Sequence, residues 1–120
     1  MKKRLLVGVV FVAGALAVGS LAFGATTTLH LTSSKTKLAY NKKKLTAHAG
    51  KITIVMKNPS SIFQHDVAIK LKGKVHKSKL AGTNKTVKLT LTLKAGTYTF
   101  YCTVPGHAAA GMKGKLVVTK

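Results

Sequence analysis

The run Tyr98-Thr99-Phe100-Tyr101-Cys102, continued by Thr103-Val104-Pro105-Gly106-His107-Ala108-Ala109-Ala110-Gly111-Met112, decides how this chain is read. Its first half alternates Tyr98, Phe100 and Cys102 on one side with Thr97, Thr99 and Tyr101 on the other, the period of a half-buried strand. Cys102 therefore ends that strand with its sulfur pointing into a dry interior. Pro105-Gly106 turns the chain back and can bring His107 beside the sulfur. Small residues follow, and Gly111 lets the backbone bend so that Met112 returns toward the same point. A thiol, an imidazole and a thioether thus recur every five residues in one loop.

Working outward, the same alternation recurs. Ile52, Ile54 and Met56 share a face in Lys51–Lys57, and Met56 reads as core. Phe63, His65, Val67 and Ile69 share a face in the next run. Val87, Leu89, Leu91 and Leu93 alternate with Lys88, Thr90 and Thr92, and Lys115–Thr119 closes the chain. Turn signals separate the runs at Ala49-Gly50, Asn58-Pro59-Ser60-Ser61, Lys72-Gly73-Lys74, Ala81–Asn84 and Ala95-Gly96. Thr26–Lys44 reads as a polar lead-in, with short strands at Leu29–Leu31 and Lys37–Tyr40. Lys72–Asn84 reads as a Lys-rich connection with at most a short irregular helix. The pattern predicts an all-β sandwich or barrel.

Composition closes several routes. The 120 residues include 21 Lys+Arg, one acidic residue (Asp66) and one cysteine, for a formal net charge of +20. One carboxylate cannot make a paired acid/base site or an oxygen cage for calcium. One thiol excludes an internal disulfide, a Cys-rich zinc site and an iron–sulfur cluster held by this chain alone. No Trp and 6% aromatics supply little for stacking on single-stranded nucleic acid.

The N-terminus reads as a targeting segment. Lys2, Lys3 and Arg4 precede an uncharged run from Leu5 to Ala25, a basic region feeding an apolar one. Ala22-Phe23-Gly24 is an imperfect small-x-small cleavage pattern, with cleavage expected after Gly24 or Ala25. The run also reaches the length of about 20 residues that spans a bilayer, so an uncleaved anchor is the alternative. Residues 1–25 are thus a signal peptide or membrane anchor, and 26–120 the folded domain, outside the cytoplasm. It is periplasmic, cell-surface or secreted.

Two sulfur donors and an imidazole suit copper, which accepts thioether far better than zinc does. A second imidazole comes from His65, whose alternation places it inside. His65, Cys102, His107 and Met112 form a two-His, one-Cys set with a weak axial thioether, the blue-copper electron-transfer pattern. His30, His48 and His76 lack such spacing and read as surface or loop residues.

On these residues, with Ala47-His48-Ala49-Gly50, Asn58, His65-Asp66 and Met112-Lys113-Gly114, the mature region resembles a cupredoxin of the plastocyanin, azurin and auracyanin type. The resemblance implies a Greek-key β-sandwich with one type 1 copper ion bound by His65, Cys102, His107 and Met112. It implies one-electron shuttling and no enzyme activity. The four-residue gap between Cys102 and His107 is similar to azurin and auracyanin. Asp66 stands where plastocyanin-like proteins have Asn, and Asn58 resembles the Asn that ties the ligand loops together. The resemblance also makes the His107 imidazole edge the electron exit and Ala108–Ala110 the docking centre, so Ala109→Lys should slow electron exchange without changing the copper band.

Removing Lys2, Lys3 and Arg4 from 21 cations and one acid leaves +17. Such a field accelerates encounter with anions. The expected partner is an acidic redox protein, with an anionic membrane or cell-wall surface as a further candidate. Nucleic acid is not expected, since export opposes it and no base-reading motif is present. The chain is expected to act as a monomer. The competing reading is a cationic envelope-binding or copper-sequestering module without redox traffic. Copper enzymes of related fold need further His ligands or a second Cys, which are lacking here.

Overall fold

The computed structural model describes residues 26–120, so the expected signal or anchor segment lies outside the described residues. Eight strands form two sheets: β1 (Thr26–Thr32), β2 (Lys44–His48), β3 (Gly50–Asn58), β4 (Ala68–Leu71), β5 (Lys74–Lys77), β6 (Lys85–Leu93), β7 (Gly96–Tyr101) and β8 (Lys113–Thr119). One sheet runs β1-β3-β6 and the other β2-β8-β7-β4-β5. The expected all-β sandwich is what the chain forms.

The alternating residues account for the layers. Ile52, Ile54 and Met56 of β3 lie opposite Leu91, Leu89 and Val87 of β6, with Thr and Lys outward. Across the interior, Leu45, Leu116, Val118, Phe100 and Ile69 supply the second inner face. Burying these side chains, at about 1.5–3 kcal/mol each, is what holds the sheets together. Phe100 sits opposite Gly114. A Cβ there would lie 2.3 Å from the Phe100 ring and 2.6 Å from the Lys43 carbonyl oxygen, so the position admits no side chain.

Three local expectations are corrected. The stretch Thr26–Thr32 is one full strand rather than a lead-in, parallel to β3. Lys44–His48 is a strand as well, parallel to β8. Its sequence, Lys-Leu-Thr-Ala-His, hides a two-residue apolar face in a polar context. The turn signal at Ala49-Gly50 falls between β2 and β3 as expected, with Gly50 opening β3 at φ +131°. Finally, Lys72–Asn84 contains β5. Lys72 and Gly73, at φ 51° and 79°, form a two-residue loop between β4 and β5. Positive φ at both loop positions is the hairpin geometry whose twist matches the strands.

The upstream His segment also departs from simple alternation. Between Phe63 and Ile69 the regular strand starts only at Ala68, and Asp66 and Ala68 are buried along with His65 and Val67. His65 is held instead by an isolated bridge to Ala81, with His65 N–H to Ala81 O at 3.2 Å and Ala81 N–H to His65 O at 2.7 Å. Lys37–Tyr40 is reduced to a bridge between Ser33 and Tyr40.

Candidate metal centre

Three of the four expected ligands meet at one end of the sandwich. His65 Nδ1 lies 3.2 Å from His107 Nδ1, Cys102 Sγ lies 3.6 Å from His107 Nδ1, and Sγ to His65 Nδ1 is 4.0 Å. All three residues are buried, and their donor atoms lie within 4.8 Å of one another.

The triangle can be tested for fit. A first-row divalent ion bonded at about 2.0 Å to nitrogen and about 2.3 Å to sulfur, in a trigonal plane, needs edges of about 3.5 Å and about 3.7 Å. The observed edges bracket those values. Two imidazoles and one thiol select a borderline-to-soft cation and disfavour magnesium or calcium. The residues therefore fit one copper ion.

The loop delivers its donors by local hydrogen bonding. His107 N–H donates to Val104 O at 3.0 Å, and Met112 N–H donates to His107 O at 3.0 Å. Gly106 and Gly111 take φ of +84° and +115°, values that side chains rarely tolerate. These two glycines let Val104–Gly111 fold as a tight sequence of turns. Cys102 N–H donates to Met112 O at 3.2 Å, so the two ends of the loop are paired. Met112 is fully buried. The Phe63 ring meets the His107 ring edge-on, with centroids 5.7 Å apart.

Asp66 and Asn58 lock the two ligand-bearing segments. Thr103 donates its backbone N–H to Asp66 Oδ1 at 2.7 Å and its hydroxyl to Asp66 Oδ2. The residue after His65 is thereby clipped to the residue after Cys102. Tyr40 donates its hydroxyl to the Asp66 carbonyl, at 2.5 Å, and packs against Phe100. Asn58 accepts from the Ser33 hydroxyl at 2.8 Å and from Ser60 N–H at 2.9 Å. Its amide donates to Phe63 O at 2.9 Å and to Ala81 O at 2.8 Å. Through Ala81 it braces His65.

The sequence reading singled out Asn58 and Asp66 but missed Tyr40, Ser33, Ala81 and Thr103. Tyr40 carried a signal: a buried Tyr needs a partner for its hydroxyl.

Burial disfavours charge on two of these side chains. Burial pushes the Cys102 thiol up, opposed by the backbone N–H groups of Asp66 and Val104. Burial pushes His65 down, with His107 adding to the effect and Asp66 opposing it. Burial likewise raises Tyr40, helped by Cys102 and Asp66. His65 Nε2 is buried without a hydrogen-bond partner, so only its Nδ1 is engaged. His30 and His48 are exposed and His76 is half-buried, as expected of residues outside the site.

Comparison with known proteins agrees with this geometry. Residues 27–119 match the family described as copper binding proteins, plastocyanin/azurin family. Auracyanin-A of Chloroflexus aurantiacus is 34% identical over 120 residues, covering 76% of this chain and 74% of that protein. The solved structure of auracyanin A, a "blue" copper protein, superposes with a TM-score of 0.71 at 32% identity, over 79% of this chain and all of the other. Dithionite-reduced auracyanin of Roseiflexus castenholzii gives a TM-score of 0.72 at 30% identity, over 81% of this chain and all of that one. The chain belongs to the plastocyanin/azurin family of copper-binding proteins.

Proposed function

We propose that this protein is a blue-copper electron carrier working outside the cytoplasm, in which His65, Cys102 and His107 would hold the copper ion and Met112 would add a thioether. The convergence of two imidazole nitrogens and one thiol within 4.8 Å carries this reading. Copper bound there supplies a one-electron Cu(II)/Cu(I) couple. The protein's own part is to hold the donors still. Cys102 gives up its thiol proton when a metal arrives, and the Asp66–Thr103 clip and the Asn58 network fix the two ligand segments before that happens. A frame that resists rearrangement suits a group that must exchange electrons quickly. No substrate is turned over.

His107 is the ligand nearest the surface, and small apolar residues surround it. Ile62 and Leu80, both well exposed, adjoin Phe63 and Ala81 in the same region. These residues favour the imidazole edge of His107 as the electron port and the alanine loop as the docking centre. The basic-then-apolar Lys2–Ala25 segment supports export, by cleavage or as an anchor.

Colour tests the proposal. The copper-loaded domain is expected to show an intense visible thiolate-to-copper band that ascorbate bleaches reversibly, and Cys102→Ser abolishes it. Copper binding without colour sinks the carrier reading.

A further inference from the structure

The strand registers sort the turns of the sandwich to two poles. Asn58 pairs with Lys85 and Tyr101 with Lys113 at the pole that holds the ligand cluster. At the other pole Thr26 pairs with Lys51, Gly50 with Leu93, Leu71 with Lys74 and Gly96 with Val118. β3, nine residues long, runs from one to the other and spans about 26 Å. The far pole is basic: Lys51, Lys72, Lys74 and Lys94 are all exposed there. The β4–β5 loop and the β6–β7 turn meet on it, since Leu71, Lys72, Thr92, Leu93, Lys94 and Tyr98 line one recess of about 150 Å³. The chain's one side-chain carboxylate, Asp66, is at the ligand pole, bound to Thr103. The far pole is also where the chain enters the fold, for β1 starts at Thr26, directly after the uncharged run Leu5–Ala25.

We infer that this lysine pole seats on the headgroups of anionic phospholipids. Charge complementarity calls for an anion, and the point of chain entry makes that anion a bilayer. No spacer separates Ala25 from Thr26. A chain that keeps its apolar run therefore carries the four lysines at the headgroup level, inside the roughly 8 Å over which physiological salt leaves charges visible. A chain cleaved after Gly24 or Ala25 keeps the same four lysines and binds reversibly. Lys72 and Lys94 flank the recess, so a headgroup phosphate seated there meets an ammonium on either side, with Leu71, Leu93 and Tyr98 beneath it. The ligand pole, a full β3 length away, then faces away from the bilayer and leaves the cap over His107 open to partners in solution. The inference concerns where the domain sits, and it stands apart from the copper couple.

The test compares two variants of equal net charge, Lys74→Gln/Lys94→Gln at the far pole and Lys79→Gln/Lys85→Gln at the ligand pole. Residues 26–120 hold both sheets and their core, so the chain from Thr26 serves for flotation with vesicles of phosphatidylglycerol and phosphatidylcholine in equal parts at low ionic strength. At about 1 kcal/mol per lysine near the surface, the far-pole pair should weaken binding about 30-fold, against about 3-fold or less for the other. Equal weakening by both pairs, or no binding of the unmodified chain, overturns the inference. So does a far-pole pair that loses soluble polyphosphate while keeping the vesicles, since that marks a site for an anionic polymer. A second measurement follows hydrogen exchange in the copper-loaded full chain, reconstituted in nanodiscs with and without phosphatidylglycerol. The anionic lipid should slow exchange at Lys72–Lys74 and Lys94–Gly96 and leave Gly106–Gly111 unchanged; protection of Gly106–Gly111 instead would put the ligand pole on the membrane and overturn the proposal. Neither measurement reads the blue band, so a colourless protein would refute the carrier reading and leave this inference standing.

Discussion

Replacing Asn58 by Ala tests whether the brace behind His65 is as consequential as its geometry says. The Asn58 side chain makes four hydrogen bonds, to Ser33, Ser60, Phe63 and Ala81, and is fully buried. The Ala81 carbonyl keeps a donor after truncation, because His65 N–H also points at it. The Ser33 hydroxyl, the Ser60 N–H and the Phe63 carbonyl each lose the Asn58 partner. At about 1–1.5 kcal/mol for each such group, the loss comes to about 3–4.5 kcal/mol. That is a large share of the total of about 5–15 kcal/mol expected of a domain. Urea denaturation of the metal-free domain measures it. Ser33→Ala supplies the control: it removes one of the four bonds and should cost about 1 kcal/mol. The double variant should be less destabilised than the sum, since both changes delete the same bond. Copper bound to Asn58→Ala should also be lost faster to a chelator, because His65 is no longer backed through Ala81. A loss under about 1.5 kcal/mol, or strict additivity with Ser33→Ala, refutes the reasoning.

Three further outcomes are expected. Asp66→Asn can keep both contacts to Thr103 while removing a negative charge beside the ligands. At an effective dielectric near 20, one charge at neighbouring-residue separation is worth about 2 kcal/mol. The reduction potential should therefore rise by about 50–100 mV in voltammetry, since Cu(II) loses more stabilisation than Cu(I); no change would show that the carboxylate acts through its hydrogen bonds alone. The metal-free domain should be most stable between about pH 6.5 and pH 9, followed by thermal melts across pH. His65 in the folded state lies below its ordinary 6.5, so protons favour the unfolded chain as pH falls past that value. Cys102 lies above its ordinary 9.0, so the unfolded chain ionises first and stability falls as pH rises beyond it. Gly114→Ala should destabilise the fold by more than about 2 kcal/mol in the same melts, because backbone and ring both block the new methyl group; a neutral result would mean that β8 shifts freely.

The cluster of His65, Cys102 and His107 was legible because chemically unusual side chains carried their own signal, and strand alternation told which way Cys102 faced. The same logic worked for β3 and β6, each nine residues long with a clear inner face. It failed where strands were short or paired by tertiary context. The four-residue β5, Lys74–Lys77, has no inward apolar stripe, and only its two-residue loop and its partner β4 make it a strand. β2 is specified mainly by its parallel pairing with the last strand, 71 positions away in sequence. The Asp66–Thr103 clip likewise joins residues 37 positions apart, and neither residue type announces the other.

The burial of the lone carboxylate has a consequence for traffic between copies of the protein. Two molecules meeting cap to cap to swap an electron bring two wholly cationic exteriors together, with no acid on either to relieve the repulsion. Self-exchange should accordingly be slow in dilute buffer and quicken as salt is added, the reverse of the trend with an acidic acceptor. A crowded population of such carriers would then act as isolated couriers, each delivering its electron outward and none relaying it along a queue of its own kind.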